Sequence, residues 1–266
     1  MRVAVIGHVE WVEFVRVERM PLAGEIAVGS PLLEEPAGGG AVAAVQMTRL
    51  AGGCDFFTAL GDDTLARRAI ARLSELGVTV HPAKRPGPTR RGWVHVDRQG
   101  ERTITVIGDK LVPALDDPLA WDVLEAADAV FFVAGADGVL ERARAARLLG
   151  ATTRSLPPGP GVALDVAIGS SNDASEAFAP GDLDPPPALS VWTNGAAGGR
   201  WLGADGRDGA YAASPLPGAI ADSYGAGDSF AAATTFALGR GDSVEEALAL
   251  GARCGAAALT RQGPYE

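Results

Sequence analysis

Seven residues, D-S-Y-G-A-G-D at 222–228, combine a carboxylate with two glycines just ahead of an apolar, alanine-rich run. Gly225 and Gly227 allow backbone conformations closed to other residues, so several N–H groups can converge on one point. A helix starting there adds the positive end of its dipole, and together these make an anion site. Asp228, at the helix start, is placed to take the proton of a substrate hydroxyl as that oxygen attacks a γ-phosphate. The amides of Gly225, Ala226 and Gly227 would hold the charge developing on the migrating group. A plainer reading makes Asp228 only the N-cap of a helix containing Phe230, Phe236 and Leu238.

The elements that must position these groups follow an α/β rhythm. Strands are expected at Arg2–Ile6, Asp55–Leu60, Ala129–Val133, Val162–Asp165 and Leu189–Trp192. Helices are expected at 41–50, 65–76 and 139–149, with Asp62, Asp63 and Thr64 as caps for the second. Ser243 and Glu246 have capping-box spacing and open a last helix through Ala258. Such alternation predicts a largely parallel sheet buried on both faces. Two segments, 12–28 and 91–107, alternate apolar and charged residues around turn signals such as D-R-Q-G at 97–100, and read as antiparallel strands. The Pro-rich stretches at 157–160 and 185–187 read as loops, and the whole of 1–266 as one domain.

With 266 residues and 47% hydrophobic content, the chain can bury a sizeable core. A formal net charge of −10 argues against a sequence-independent hold on nucleic acid. Cys54 and Cys254 lack metal-ligand spacing and read as reduced thiols of a cytoplasmic protein. M-R-V-A-V-I-G reads as a first strand rather than a signal peptide, and no apolar run is long enough for a bilayer. Lys84 and Lys110 are the two lysines among 23 basic residues. No P-loop and no dinucleotide fingerprint is present. His8, His81 and His95 are scattered and read as ordinary surface or core histidines.

Beyond the D-S-Y-G-A-G-D segment, G-G-G at 38–40, A-L-G-D-D at 59–63, G-E-R-T-I at 100–104, T-N-G-A-A-G-G at 193–199 and T-R-Q-G at 260–263 occur in an order that resembles the ribokinase-like (PfkB) carbohydrate kinases. The resemblance spans nearly the whole chain. It implies a three-layer α/β/α sandwich with a largely parallel central sheet and a small antiparallel β lid over the substrate, contributed by about 12–28 and 91–107. It implies that Asp228 is the catalytic base and that the amides of Gly225, Ala226 and Gly227 form the anion hole. Gly38, Gly39 and Gly40 would approach the acceptor, Thr193, Gly195 and Gly198 would line ATP, and Ala252 and Ala256 would wall the adenine. ATP brings Mg²⁺, and the family's loose N-x-x-E motif falls on S-N-D-A-S-E at 171–176, pointing to Asp173 and Glu176. Many relatives also bind a monovalent cation, and the resemblance allows a homodimer through the lid. For this family the chain is compact, which implies trimmed helices.

Departures fall on the acceptor side. Val12 stands where the family places a sugar-binding Asp, with Glu10 and Glu13 nearby, and Ala43 or a neighbour replaces the usual Asn. Ala134 and Gly135 follow the strand where sugar kinases can offer a carboxylate. Losing several hydrogen-bond partners argues against a ribose-like acceptor bound in the usual way. Glu10 is taken as the replacement acceptor ligand. Trp11 and Phe14 either offer a ring face or pack beneath the lid, while Arg90, Arg91 and Arg102 either meet a phosphorylated sugar or edge a solvated lid. The expected activity is ATP-dependent phosphorylation of a primary alcohol on a sugar or sugar-like molecule. The alternatives are a nucleoside kinase on the same scaffold and a non-catalytic sensor that kept the nucleotide site.

Overall fold

A computed structural model describes residues 1–156, 159–179 and 181–265. The first half supplies β1 (Val3–Ile6), β2 (Glu10–Arg16), β3 (Ser30–Ala37), α1 (Gly39–Ala51), β4 (Cys54–Gly61), α2 (Thr64–Glu75), β5 (Val78–Arg85), β6 (Arg91–Val96), β7 (Arg102–Ile107) and β8 (Ala129–Phe132). The second supplies α3 (Val139–Ala143), β9 (Leu149–Thr152), β10 (Gly159–Pro160), β11 (Val166–Ser170), β12 (Leu183–Asp184), β13 (Leu189–Thr193), β14 (Gly199–Gly203), β15 (Asp208–Tyr211), α4 (Ala226–Arg240) and α5 (Val244–Leu259).

Nine strands form one sheet in the order β15-β14-β13-β11-β9-β8-β1-β4-β5. It is parallel from β5 to β13 and closed by the antiparallel β14 and β15. Alternation along its strands splits the core in two. Val3, Val5, Phe56 and Phe131 pack with α1, α4 and α5, while Ala4, Ile6, Phe57 and Phe132 pack with α3 and the 3₁₀ turn Trp121–Ala126. Fully burying one such Phe or Val contributes roughly 1.5–3 kcal/mol. Asp63 caps α2 by accepting from Ala66 N–H at 2.8 Å, and Ser243 with Glu246 forms the expected capping box on α5.

The small sheet has the order β3-β2-β6-β7. Its outer pairs are antiparallel, but β2 and β6 run parallel, with Trp11 opposite Arg91. Both strands continue outward from parallel strands of the large sheet, β1 and β5, and so leave in the same direction. The first lid segment also differs from the expected 12–28: its strands are Glu10–Arg16 and Ser30–Ala37, and 17–29 is a connection. There Gly24 takes a positive φ, and the Glu25 carboxylate accepts from Leu22 N–H and Arg19.

Two further expectations are corrected. The strand expected at Val162–Asp165 lies at Val166–Ser170, because the Asp165 carboxylate accepts from Leu149 N–H and Arg144 and so marks the start of the run rather than its end. The helix expected over 139–149 stops at Ala143. Arg144 and Arg147 donate to the carbonyls of Ala163, Ala146 and Gly239, and Leu149 joins the sheet opposite Val130. Of the Pro-rich stretch at 157–160, Pro157 and Pro158 lie outside the described residues. No described helix is long and apolar enough to cross a membrane.

Candidate active site

Helices α1 and α4 begin beside each other at the carboxyl ends of the parallel strands, the usual location of ligands in such sheets. Gly225 caps α4 with φ 74°, which favours glycine, and a Cβ there would lie 2.9 Å from Val42 Cγ1. The first intrahelical bond runs from Ser229 N–H to the Gly225 carbonyl at 2.9 Å, leaving the amides of Ala226 and Gly227 ahead of it. Gly227 is exposed, with open space where a Cβ would stand.

The loop feeding this helix is anchored from both sides. Asp222, 1% exposed, accepts from Tyr224 N–H at 2.7 Å and from Gly263 N–H at 2.6 Å. Gly38 N–H donates to the Tyr224 hydroxyl at 2.9 Å, tying the α4 turn to the α1 turn. Arg102, on lid strand β7, donates to the carbonyl and hydroxyl of Ser223. The lid edge therefore reaches the residue two before the α4 cap.

Asp228 faces α1 so closely that a Cβ on Gly39 would lie 2.7 Å from its Oδ1. Burial pushes its carboxyl up to about 6, reinforced by the negative charge of Glu176 and opposed by Arg102, Arg154 and its own backbone N–H. The group is thus ionised at neutral pH yet basic enough to accept a hydroxyl proton. An N-cap alone does not account for it: Asp228 is the third residue of α4, and Gly225 is the cap.

Gly38, Gly39 and Gly40 are where the sequence placed them, in the turn into α1. Gly40 allows α1 to press on β1's end: a Cβ there would lie 2.6 Å from the His8 carbonyl. Glu10 is buried (6% exposed) and lies 3.2 Å from Arg90 Nε, but the angle is poor. Glu10 Oε2 and Arg90 Nε both lack a hydrogen-bond partner among the described residues. His8, read from sequence as ordinary, belongs to this group. A Cβ on Gly38 would lie 3.0 Å from its ring, its Nδ1 is buried without a hydrogen-bond partner among the described residues, and burial, Lys110, Arg90 and Arg154 push it down to about 3. Its position one residue after the G of β1's end, two before Glu10, was the available signal.

Trp11 and Phe14 pack beneath the lid rather than offering a ring face. Arg68 covers the Trp11 ring at 4.1 Å while its Nε1 donates to Glu34, and Phe14 meets Tyr224 edge-on at 5.1 Å. Val12 is fully buried.

Thr193 ends β13, and the following turn is closed by Asn194 N–H to the Gly198 carbonyl at 2.7 Å, with Gly195 and Gly198 both at positive φ. A Cβ on Gly198 would collide with the Tyr211 carbonyl. Neighbouring β11 joins this turn through Ser171 N–H to the Thr193 carbonyl. On α5, Ala256 is buried and Ala252 is partly buried against the core.

Asp173 and Glu176 lie in turns, not on a helix. Arg154 sits between them, 2.5 Å from Asp173 Oδ2 and 2.8 Å from Glu176 Oε1, and the two Ser175 bonds, followed by Arg154, pull the Asp173 carboxyl down. No group of three or more potential metal ligands occurs among the described residues. With a guanidinium already between them, these two carboxylates do not form a direct ligand set for a dication.

Residues 1–150 and 176–266 match the pfkB family of carbohydrate kinases. The chain belongs to this family. A ribokinase of Dictyostelium discoideum is 28% identical over 108 residues, a match covering 40% of this chain and 34% of that relative's length. Among solved structures, a putative ribokinase from Agrobacterium tumefaciens superimposes with a TM-score of 0.79 at 20% identity, covering 98% of this chain and 92% of that one. An Arabidopsis thaliana ribokinase complexed with ribose and ATP gives 0.74 at 18% identity, covering 98% and 93%.

Proposed function

We propose that this chain is an ATP-dependent kinase that phosphorylates a primary alcohol of a sugar or sugar-like molecule. The observation that carries this reading is Asp228, a basic carboxylate set at the first turn of α4 and against Gly39. In the reaction the acceptor oxygen attacks the γ-phosphorus while its proton passes to Asp228. The bond from that phosphorus to the β–γ bridging oxygen breaks, and ADP departs with the electron pair. Amides of Gly225, Ala226 and Gly227 stabilise the charge on the moving group, and Thr193, Gly195 and Gly198 hold the nucleotide. Ala252 and Ala256 stand for the adenine wall. The lid, fastened by Arg102 to Ser223, keeps water out.

Magnesium enters with the nucleotide as charge-neutralising ion, and a monovalent cation beside the anion hole belongs to the same reading. Trp93, Ile104, Val106 and Ile107 leave apolar surface exposed on the lid, which supports a homodimer there. A cytoplasmic setting fits a reaction that consumes ATP. The nucleoside reading loses the ring face it needed, since Trp11 and Phe14 are packed. A sensor has no use for a carboxylate tuned as a base.

Release of ADP in the presence of a panel of sugars and nucleosides, with the native protein and Asp228→Asn, tests the reading. Acceptor-stimulated release by the native protein alone is expected. ATP binding in both proteins with no acceptor-stimulated release in either would overturn it.

A further inference from the structure

Lid strand β7 begins at Arg102, and the turn ahead of it is stiff. Asp97 Oδ1 accepts from Gln99 N–H at 2.8 Å and from Glu101 N–H at 3.0 Å, while Gly100 N–H donates to the Asp97 carbonyl at 3.1 Å. Gly100, buried and at φ 79°, lays this turn on the loop that feeds α4: a Cβ there would lie 3.3 Å from the Ala221 carbonyl oxygen. Arg102 is thereby aimed at Ser223. Its Nη1 donates to the Ser223 carbonyl at 2.9 Å and to the Ser223 hydroxyl at 2.7 Å. The next amide, Tyr224 N–H, donates to Asp222 Oδ1 at 2.7 Å. The Ser223–Tyr224 peptide unit is planar, so one rigid plate is gripped at both edges, its C=O from the lid and its N–H from the core. Gly225 follows at once.

Resting on the kinase reading above, we propose that Arg102 is a positioning residue for phosphoryl transfer, which holds the Ser223–Tyr224 peptide in the orientation that aims the amides of Gly225, Ala226 and Gly227. It acts through Ser223 and touches no reactant. Rotating that peptide would redirect the chain entering Gly225 and move the amides off their common point, and such groups stabilise charge only when they are fixed in advance. The other ties of this loop, Asp222 to Gly263 and Gly38 to the Tyr224 hydroxyl, leave the Ser223 carbonyl to Arg102. The guanidinium also stands 6.0 Å from the centre of the Tyr224 ring, and its charge opposes the upward push that burial and Glu176 exert on Asp228.

Arg102→Met keeps an apolar stem and removes the donors. Acceptor-stimulated ADP release should fall at least about tenfold in kcat, with KM for ATP and acceptor within about threefold, since misaimed groups cost rate rather than binding. Arg102→Lys, which can still donate to both Ser223 oxygens, should recover most of the rate. Ser223→Ala should lower kcat by itself and add nothing to Arg102→Met, because both variants remove one contact. The acid limb of kcat should move to higher pH in Arg102→Met but not in Arg102→Lys, with Glu176 and Arg154, the other charges acting on Asp228, left in place. Amide hydrogen exchange over 222–228 needs no turnover, and it should quicken in Arg102→Met and stay native in Arg102→Lys. Unchanged exchange, additive losses with Ser223→Ala, or a loss carried by KM overturns the proposal. If the native protein turns over no acceptor, quickened exchange still upholds the hold of Arg102 on the turn and removes the kinase reading instead.

Discussion

One face of the large sheet is covered by helices of 13, 12, 15 and 16 residues (α1, α2, α4 and α5), the other by the five-residue α3, a 3₁₀ turn and loops. The groups proposed for catalysis belong to the first face. Asp228 and Gly38–Gly40 sit at the amino ends of its two central helices, whose bodies are almost wholly buried, so the turns are held by long packed elements. The second face only has to bury the strands, and there the one α-helix is short. Covering a sheet tolerates irregular structure, whereas aiming a carboxylate and a set of amides at one point does not.

The comparison is broken most directly at Asp228. Asp228→Asn should lower kcat by about 10³-fold, within the usual range for losing a general base, while circular dichroism stays native. A fall of less than tenfold in steady-state turnover would dissociate the deep face from the chemistry. Next in size, Gly39→Ala places a methyl group 2.7 Å from Asp228 Oδ1 and 3.1 Å from Val133 Cγ1. Displacing the carboxylate by that contact should cost about 10²-fold in kcat with KM for ATP little changed.

A stability pair sharpens the contrast between the faces. Met47→Ala, at a fully buried position of α1, should cost about 2–5 kcal/mol in urea unfolding and reduce activity as well. Leu140→Ala, in half-buried α3, should cost about 1 kcal/mol and leave kcat within about twofold. Equal costs, or an activity loss from Leu140→Ala, would show that the thin face also positions the site.

A last contrast is a pH dependence. Asp228 acts ionised and its carboxyl sits at about 6, so kcat should fall about tenfold per pH unit below pH 6. Its folded value lies above the unfolded one, so the stability this group contributes is fully present below about pH 4 and lost as pH rises through 6. Asp228→Asn should therefore melt higher than the native protein at pH 8 and no higher at pH 4.

Local signals carried much of this molecule. The turn at 222–228, the glycines at 38–40, the capping box and most parallel strands announce themselves in short runs, because glycine, caps and apolar continuity act within a few residues. Three kinds of feature did not. Strand ends at Asp165 and Leu149 depend on hydrogen bonds from Arg144 and on pairing across the sheet. The parallel β2–β6 pair follows from where two distant strands emerge. Glu10 and Arg90 meet only when distant segments converge, and the packing of Trp11 is decided by Arg68 and Glu34. Arg154, between Asp173 and Glu176, could not be placed without the fold.

The bond from Gly38 N–H to the Tyr224 hydroxyl joins positions 186 residues apart. Neither turn has its working shape until more than half of the polypeptide lies between them in order, so half a chain carries no half-active enzyme. Among the milestones of refolding, recovery of turnover should come late, trailing the fluorescence change that reports early enclosure of the indoles.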